Sequence, residues 1–225
     1  MAIDKSNTKP WVKVVIIVVA LSFVAAFIPG LWTALSGSGQ QNSATGGNGQ
    51  LEQVAKQHAG QIASLKGLLA SDPTSYTVLV AMGNAYFDWA AATAQASTDS
   101  GIEGPMWESA TIYYERALAA KSGDPSVGTD MAIAYFYGGR TAEAIAAVEV
   151  VLAKNPEFAA GLYNAGIFYQ AAGRNADGVA VLTKYIAADP QGTSGQIDRA
   201  KQMITQMQGS AGSPSPGLSS TLTTP

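Results

Sequence analysis

The chain has 225 residues, with 13 basic and 16 acidic side chains, one histidine and no cysteine. That composition excludes disulfides, thiolate metal sites, thiol catalysis and a histidine-rich metal centre. The charge is split: residues 1–35 carry +2 and residues 36–225 carry −5, from 10 basic and 15 acidic groups, so no basic patch remains to follow a phosphate backbone and nucleic acid is not an expected partner.

Residues 1–13 are short, polar and basic. Val14 to Leu35 is a run of 22 residues without a charge, long enough as a helix, at about 1.5 Å per residue, to cross a bilayer core of about 30 Å. Val14, Ile16, Ile17, Leu21, Phe23, Phe27 and Ile28 supply its apolar surface. Lys5, Lys9 and Lys13 precede the run and no Lys or Arg follows until Lys56. That asymmetry puts the N-terminus in the cytoplasm and the rest of the chain outside it, as a single-pass membrane protein. Trp11 and Trp32 lie near the two ends of the run, as interfacial anchors would. The alternative is a cleaved signal peptide, with Pro29-Gly30 as breaker and a cut near Ser36. Both readings export everything beyond residue 36.

Residues 36–50 are rich in Gly, Ser, Asn and Gln, the composition of a flexible tether. Leu51, Val54, His58, Ile62, Leu65 and Leu69 then recur at helical spacing, predicting an amphipathic helix over 51–70. His58 falls on the apolar stripe, where a core-edge histidine making one hydrogen bond is expected. Asp72-Pro73, Asp124-Pro125, Asn155-Pro156 and Asp189-Pro190 each offer an N-cap side chain followed by a proline suited to a first helical turn. Thr141 and Asn175 are candidate N-caps for two further helices.

Three stretches between these signals repeat: Val80 to Tyr86, Thr129 to Tyr135 and Tyr163 to Tyr169. Tyr135 and Tyr169 are 34 residues apart; Tyr86 and Tyr135 are 49 apart, one period plus a 15-residue insertion. After Tyr135 come Gly138-Gly139-Arg140, Ala144, Val148, Val151 and Pro156. After Tyr169 come Gly173-Arg174-Asn175, Gly178, Leu182, Tyr185 and Pro190. After Tyr86 and the insertion, Ala110, Tyr114 and Ala117 keep the same spacing. The insertion, about residues 96–106, reads as a loop between a prolonged first helix, Trp89 to Gln95, and a second helix starting at Trp107. Asp99 and Glu103 in it read as solvated carboxylates. Beyond Pro190, Ile197, Ala200, Ile204 and Met207 form a stripe suited to capping the last repeat. Residues 209–225 have the composition of a disordered tail.

Over roughly residues 72–190 this pattern resembles the tetratricopeptide repeat (TPR), departing from it at Gly128 and Leu162, where Trp is usual, at Gly178, and at Ser122, whose proline is displaced to Pro125. The resemblance implies an all-α, right-handed solenoid of three helix-turn-helix repeats with flanking helices, here spanning residues 51–208 and preceded by the transmembrane helix. It also implies a concave groove lined by the first helix of each repeat. Spacing from each tyrosine places on that groove Thr77, Val80, Asn84, Phe87 and Asp88, then Ser126, Thr129, Ile133, Phe136 and Tyr137, then Ala160, Tyr163, Ile167, Gln170 and Ala171. The Lys, Arg and Asn set with which some family members clamp a C-terminal carboxylate is represented by Asn84 alone. The groove is otherwise apolar and aromatic, suited to an amphipathic helix or an extended apolar segment; the competing reading is that some of its residues are core or are covered by the helix at 51–70.

No nucleophile and base pair, phosphate loop or metal-ligand spacing stands out, so neither an enzyme nor a cofactor is expected. The function expected is a membrane-anchored, extracytoplasmic interaction scaffold within a membrane-associated complex. Two alternatives stand beside it: an assembly chaperone holding unfolded clients, since the plan of anchor, linker and repeats resembles bacterial cytochrome c maturation proteins, and a secreted binding protein released near Ser36.

Overall fold

The computed structural model describes residues 48–97, 101–189 and 195–211. Among them lie eight helices and no strand: α1 (Asn48–Ser71), α2 (Tyr76–Ala96), α3 (Gly104–Ala120), α4 (Pro125–Tyr137), α5 (Thr141–Lys154), α6 (Ala159–Ala171), α7 (Asn175–Ala188) and α8 (Ile197–Ala211). The expected anchor at 14–35, most of the tether and the tail beyond 211 lie outside the described residues. Within those residues, no helix is long and apolar enough to cross a membrane.

Each helix packs on its neighbours in sequence, and α4 also packs on α6. The pairs α2 with α3, α4 with α5 and α6 with α7 are the three repeats; α1 packs on α2 and α8 on α7. Close approach within a pair rests on glycine. A Cβ at Gly83 would come within 2.5 Å of the Tyr114 ring, and one at Gly166 within 2.4 Å of Leu182. Tyr114 and Leu182 are fully buried there, each lying directly on backbone.

Two departures from the repeat pattern have local explanations. A Cβ at Gly178 would meet the Met207 sulfur at 2.6 Å, so this glycine admits the capping helix α8 against α7. A Cβ at Gly128 would likewise come within 2.6 Å of Val151, and Gly128 lies in an apolar recess beside Leu118, Met131 and Val150. Of the expected capping stripe, Ala200 and Met207 are buried while Ile197 and Ile204 are half-buried; Met203, not expected there, joins the buried pair in closing a cluster with Leu162, Leu182 and Tyr185.

The turns of repeats two and three are copies of each other. Gly139 and Gly173 have φ of 77° and 72°, a conformation glycine adopts without strain. Arg140 and Arg174 donate their backbone N–H to the carbonyls of Tyr135 and Tyr169, and the two glycines donate to Phe136 and Gln170. This is the double-bonded left-handed helix ending in which the residue after the glycine closes a six-residue ring. It returns each arginine onto the tyrosine it bonds: the guanidinium carbons lie 4.5 Å from the Tyr135 and Tyr169 ring centres.

The same turns correct the expected caps. Helices α5 and α7 begin at Thr141 and Asn175, with Arg140 and Arg174 in the N-cap positions and no side-chain cap. The turn runs into the next helix with no residue to spare, so Thr141 and Asn175 are already helical. Glu143 and Asp177 in the first turns pair with the arginines instead, at 3.0 and 2.7 Å. Of the four acidic or amide residues before proline, only Asp124 caps as expected, accepting from the N–H groups of Ser126 and Val127. Asp72 accepts from Thr74 in a turn before α2, whose N-cap is Ser75; the Asn155 amide donates back to the Val151 carbonyl, and α6 starts after Phe158. Asp189 ends α7 as its C-cap.

Smaller corrections concern boundaries. Helix α1 starts three residues before the expected Leu51, and α8 runs three beyond the expected 208. Helix α3 begins at Gly104 rather than Trp107, with Pro105 in its first turn, so the inserted loop is shorter than expected. Asp99 lies outside the described residues, and Glu103 accepts from the Gly101 N–H.

Candidate peptide groove

The predicted groove residues fall into two groups. Phe87, Phe136 and Tyr137 are brought into one aromatic ladder by two residues the sequence reading did not assign to it. Trp107, buried at the start of α3, meets Phe87 edge-on with ring centres 5.0 Å apart and stacks on Tyr137 at 5.3 Å. Tyr137 in turn meets Phe136 at 5.6 Å, and Phe136 rests on the fully buried Phe168 at 4.8 Å. Tyr137 is 61% exposed, the most open of these rings, while Phe87 and Phe136 are half-buried.

Val80, Ile133, Tyr163 and Ile167 are half-buried members of three different core clusters. Tyr163 packs against Tyr185 at 5.2 Å, and its hydroxyl donates to the Gln196 side-chain oxygen before α8. These four contribute edges, not free side chains. Thr129, also placed on the groove by spacing, is instead buried, its hydroxyl donating to the Pro125 carbonyl at 2.8 Å. Its position on a four-residue helical row matched the groove face, but its short side chain is covered by its own helix turn.

Asn84 occupies a different setting from its neighbours. It is exposed, and its side-chain oxygen accepts from the buried Tyr114 hydroxyl at 2.8 Å. Asn84, Phe87, Asp88, Tyr114 and Asp130 together line a cavity of about 270 Å³. Burial pushes the Tyr114 phenol upward, with Asp130 and Asp88 adding to it. Burial also raises Asp130 to about 6, reinforced by the charges of Asp124 and Asp88. Desolvation raises the Asp88 carboxyl as well, opposed by His58. Asp130 was missed because it sits one position off the predicted groove row, although a charge inside Thr129-Asp-Met-Ala-Ile-Ala134, an otherwise apolar repeat segment, was its signal.

His58 corrects another expectation. Its ring stacks parallel to Trp89 at 6.3 Å between α1 and α2, and its Nδ1, buried, makes no hydrogen bond among the described residues. Helix α1 therefore covers the side of α2 carrying Met82, Ala85 and Trp89. Asn84 and Asp88 remain exposed beside it.

Across the boundaries between repeats a second polar pattern recurs. Tyr135 on α4 donates its hydroxyl to Glu115 on α3, and Tyr169 on α6 donates to Glu149 on α5 at 2.7 Å. Both phenols are pushed up to about 12, first by burial and then by the glutamate each one faces. These groups are structural ties between repeats, set apart from the cavity.

Neither a protein-family model nor any curated protein matches the chain. Among solved structures, one of MamA protein is similar over 72% of this chain and 77% of that one, at 20% identity and a TM-score of 0.57. A second MamA structure covers 71% of this chain and 92% of its own, at 17% identity and a TM-score of 0.51. The first TPR of Spaghetti (RPAP3), solved bound to the HSP90 peptide SRMEEVD, covers 63% of this chain and 97% of its own, at 18% identity and a TM-score of 0.50. At these identities the likeness is one of fold, and that fold is a tetratricopeptide-type stack of helix pairs.

Proposed function

We propose that this chain is a tethered interaction scaffold whose repeats hold a segment of a partner protein along the first helices of the repeats, α2, α4 and α6. The observation that carries this reading is the aromatic ladder that runs from Phe87 through Trp107 and the largely exposed Tyr137 to Phe136, with Phe87 also lining the open cavity. A single exposed ring is ordinary on a protein surface, but rings already held by their neighbours lose little freedom when a partner covers them. The tetratricopeptide fold supports the reading too, since one neighbour in that fold was solved with a peptide bound.

The uncharged run from Val14 to Leu35 and the basic residues before it favour an N-terminal membrane anchor with the repeats outside the cytoplasm. In that setting the partner is a subunit of a membrane-associated complex.

A photo-crosslinking residue placed at Tyr137, in the full chain in its native membranes, tests this. The expected result is one dominant crosslinked protein, in stoichiometric yield, which a crosslinker at the exposed Val150 on α5 does not trap. Crosslinks from Val150 with none from Tyr137 would move the interaction away from the aromatic ladder and overturn the assignment. A ladder of many weak products from Tyr137 would favour transient holding of unfolded clients over a stable subunit.

A further inference from the structure

The cavity beside the aromatic ladder carries charge that the fold leaves unanswered. Asp88 on α2 and Asp130 on α4 both line it, and no lysine or arginine pairs with either one among the described residues. Of the groups facing Asp130, Asp88 comes from α2, Tyr114 from α3 and Asp124 from the start of α4 itself; none is a cation. Among the described residues the basic side chain that acts on Asp88 is His58, across from α1. Phe87 forms another wall of the same cavity, so a ring lies next to the carboxylates. The Asn84 oxygen in the same cavity accepts from Tyr114.

A half-buried Asp130 facing the exposed Asp88 without a cation is repelled by it, and an arriving cation relieves that repulsion. A guanidinium or ammonium also gains from an adjacent aromatic ring. The aromatic wall at Phe87 beside the two carboxylates suits an organic cation.

Resting on the groove reading above, we infer that the partner segment carries a lysine or arginine flanked by apolar residues. The cation sits against Asp88 and Asp130, and the apolar neighbours lie on Phe87 and on Tyr137, which the buried Trp107 holds in place. This is the opposite charge preference from a groove that clamps a carboxylate, and it accounts for the absence of Lys and Arg from the positions that would form such a clamp.

The probe is a fluorescently labelled amphipathic peptide of leucine and lysine, followed by anisotropy with the full chain and compared with peptides in which glutamine or glutamate replaces every lysine. The expected order is lysine, then glutamine, then glutamate, with roughly tenfold or more between the first two. The double variant Asp88→Asn/Asp130→Asn should erase that preference, while Glu157→Gln, a surface carboxylate elsewhere, should leave it intact. Binding of the lysine peptide should also weaken between about pH 7 and about pH 5 as Asp130 takes up its proton. The pH profile should persist in His58→Gln and flatten in Asp130→Asn. Equal binding of all three peptides, unchanged in the double variant but lost in Tyr137→Ala, would overturn the charge preference while leaving the groove in place. Binding by none of them would sink both readings.

Discussion

The proton on Asp130 links the groove to the stability of the domain. An aspartate in the unfolded chain titrates near its ordinary value of 3.8, whereas in the fold Asp130 holds its proton to about 6. Below the first value both states are protonated and the residue is neutral in effect. Between the two the native state binds more protons than the unfolded chain, so stability falls as pH rises, and above about 6 the whole cost is in place. Asp130→Asn is therefore expected to stabilise the domain near pH 7 by on the order of 1 to 3 kcal/mol, with the gain shrinking toward zero near about pH 4. Denaturant unfolding at the two pH values checks this; an equal gain at both would mean that the charge of Asp130 is not the cause. Much at this scale was legible in the sequence. Phe87, Phe136 and Tyr137 followed from spacing to the repeat tyrosines, and they do share one ladder. Trp107 was placed at the start of a helix but not in the ladder, because the insertion hides its register relative to α2. Asp130 was missed because a charge one step off the predicted row is indistinguishable, in one dimension, from a solvated one.

Between elements, the glutamate and tyrosine ties carry the contact from one repeat to the next. Tyr169 is buried while Glu149 is exposed, so removing the hydroxyl leaves an acceptor that water still satisfies. Tyr169→Phe should therefore cost about 0.5 to 1.5 kcal/mol. A double-mutant cycle with Glu149→Gln should recover most of that as coupling, and a cost without coupling would assign it to packing alone. The helix pairs themselves were legible from period and from small residues at Gly83 and Gly166, since only glycine lets Tyr114 and Leu182 reach backbone there. The helix starts were read less well. Serine, threonine, asparagine and aspartate before a helix suggest a cap from local chemistry, but at Arg140 and Arg174 the glycine turn had already fixed where the next helix begins.

The stack as a whole is closed at both described ends, by α1 on α2 and by α8 on α7. Helix α8 buries Ala200, Met203 and Met207 against Leu162, Leu182 and Tyr185. A chain terminated after Gly195 should expose that cluster, melt at lower temperature by the equivalent of several kcal/mol, and self-associate on size-exclusion chromatography. A monomer of unchanged stability would show α8 to be an appendage rather than a cap. The capping role was legible from the stripe beyond Pro190, because an amphipathic helix after the last repeat has only one free apolar face to cover. Its tight seating on Gly178 was not, since a missing side chain in a sequence gives no sign of what fills its place.

The ties between repeats have a consequence for how such a chain can change its length. Glu115, Tyr135, Arg140 and Glu143 are matched by Glu149, Tyr169, Arg174 and Asp177, each 34 residues further on. A block copied at that length would arrive with an acid for the tyrosine that follows it and a tyrosine for the acid that precedes it. Gene duplication inside this stretch would then yield a longer stack in one event, with every junction already complementary, and selection would be left to vary only the exposed residues.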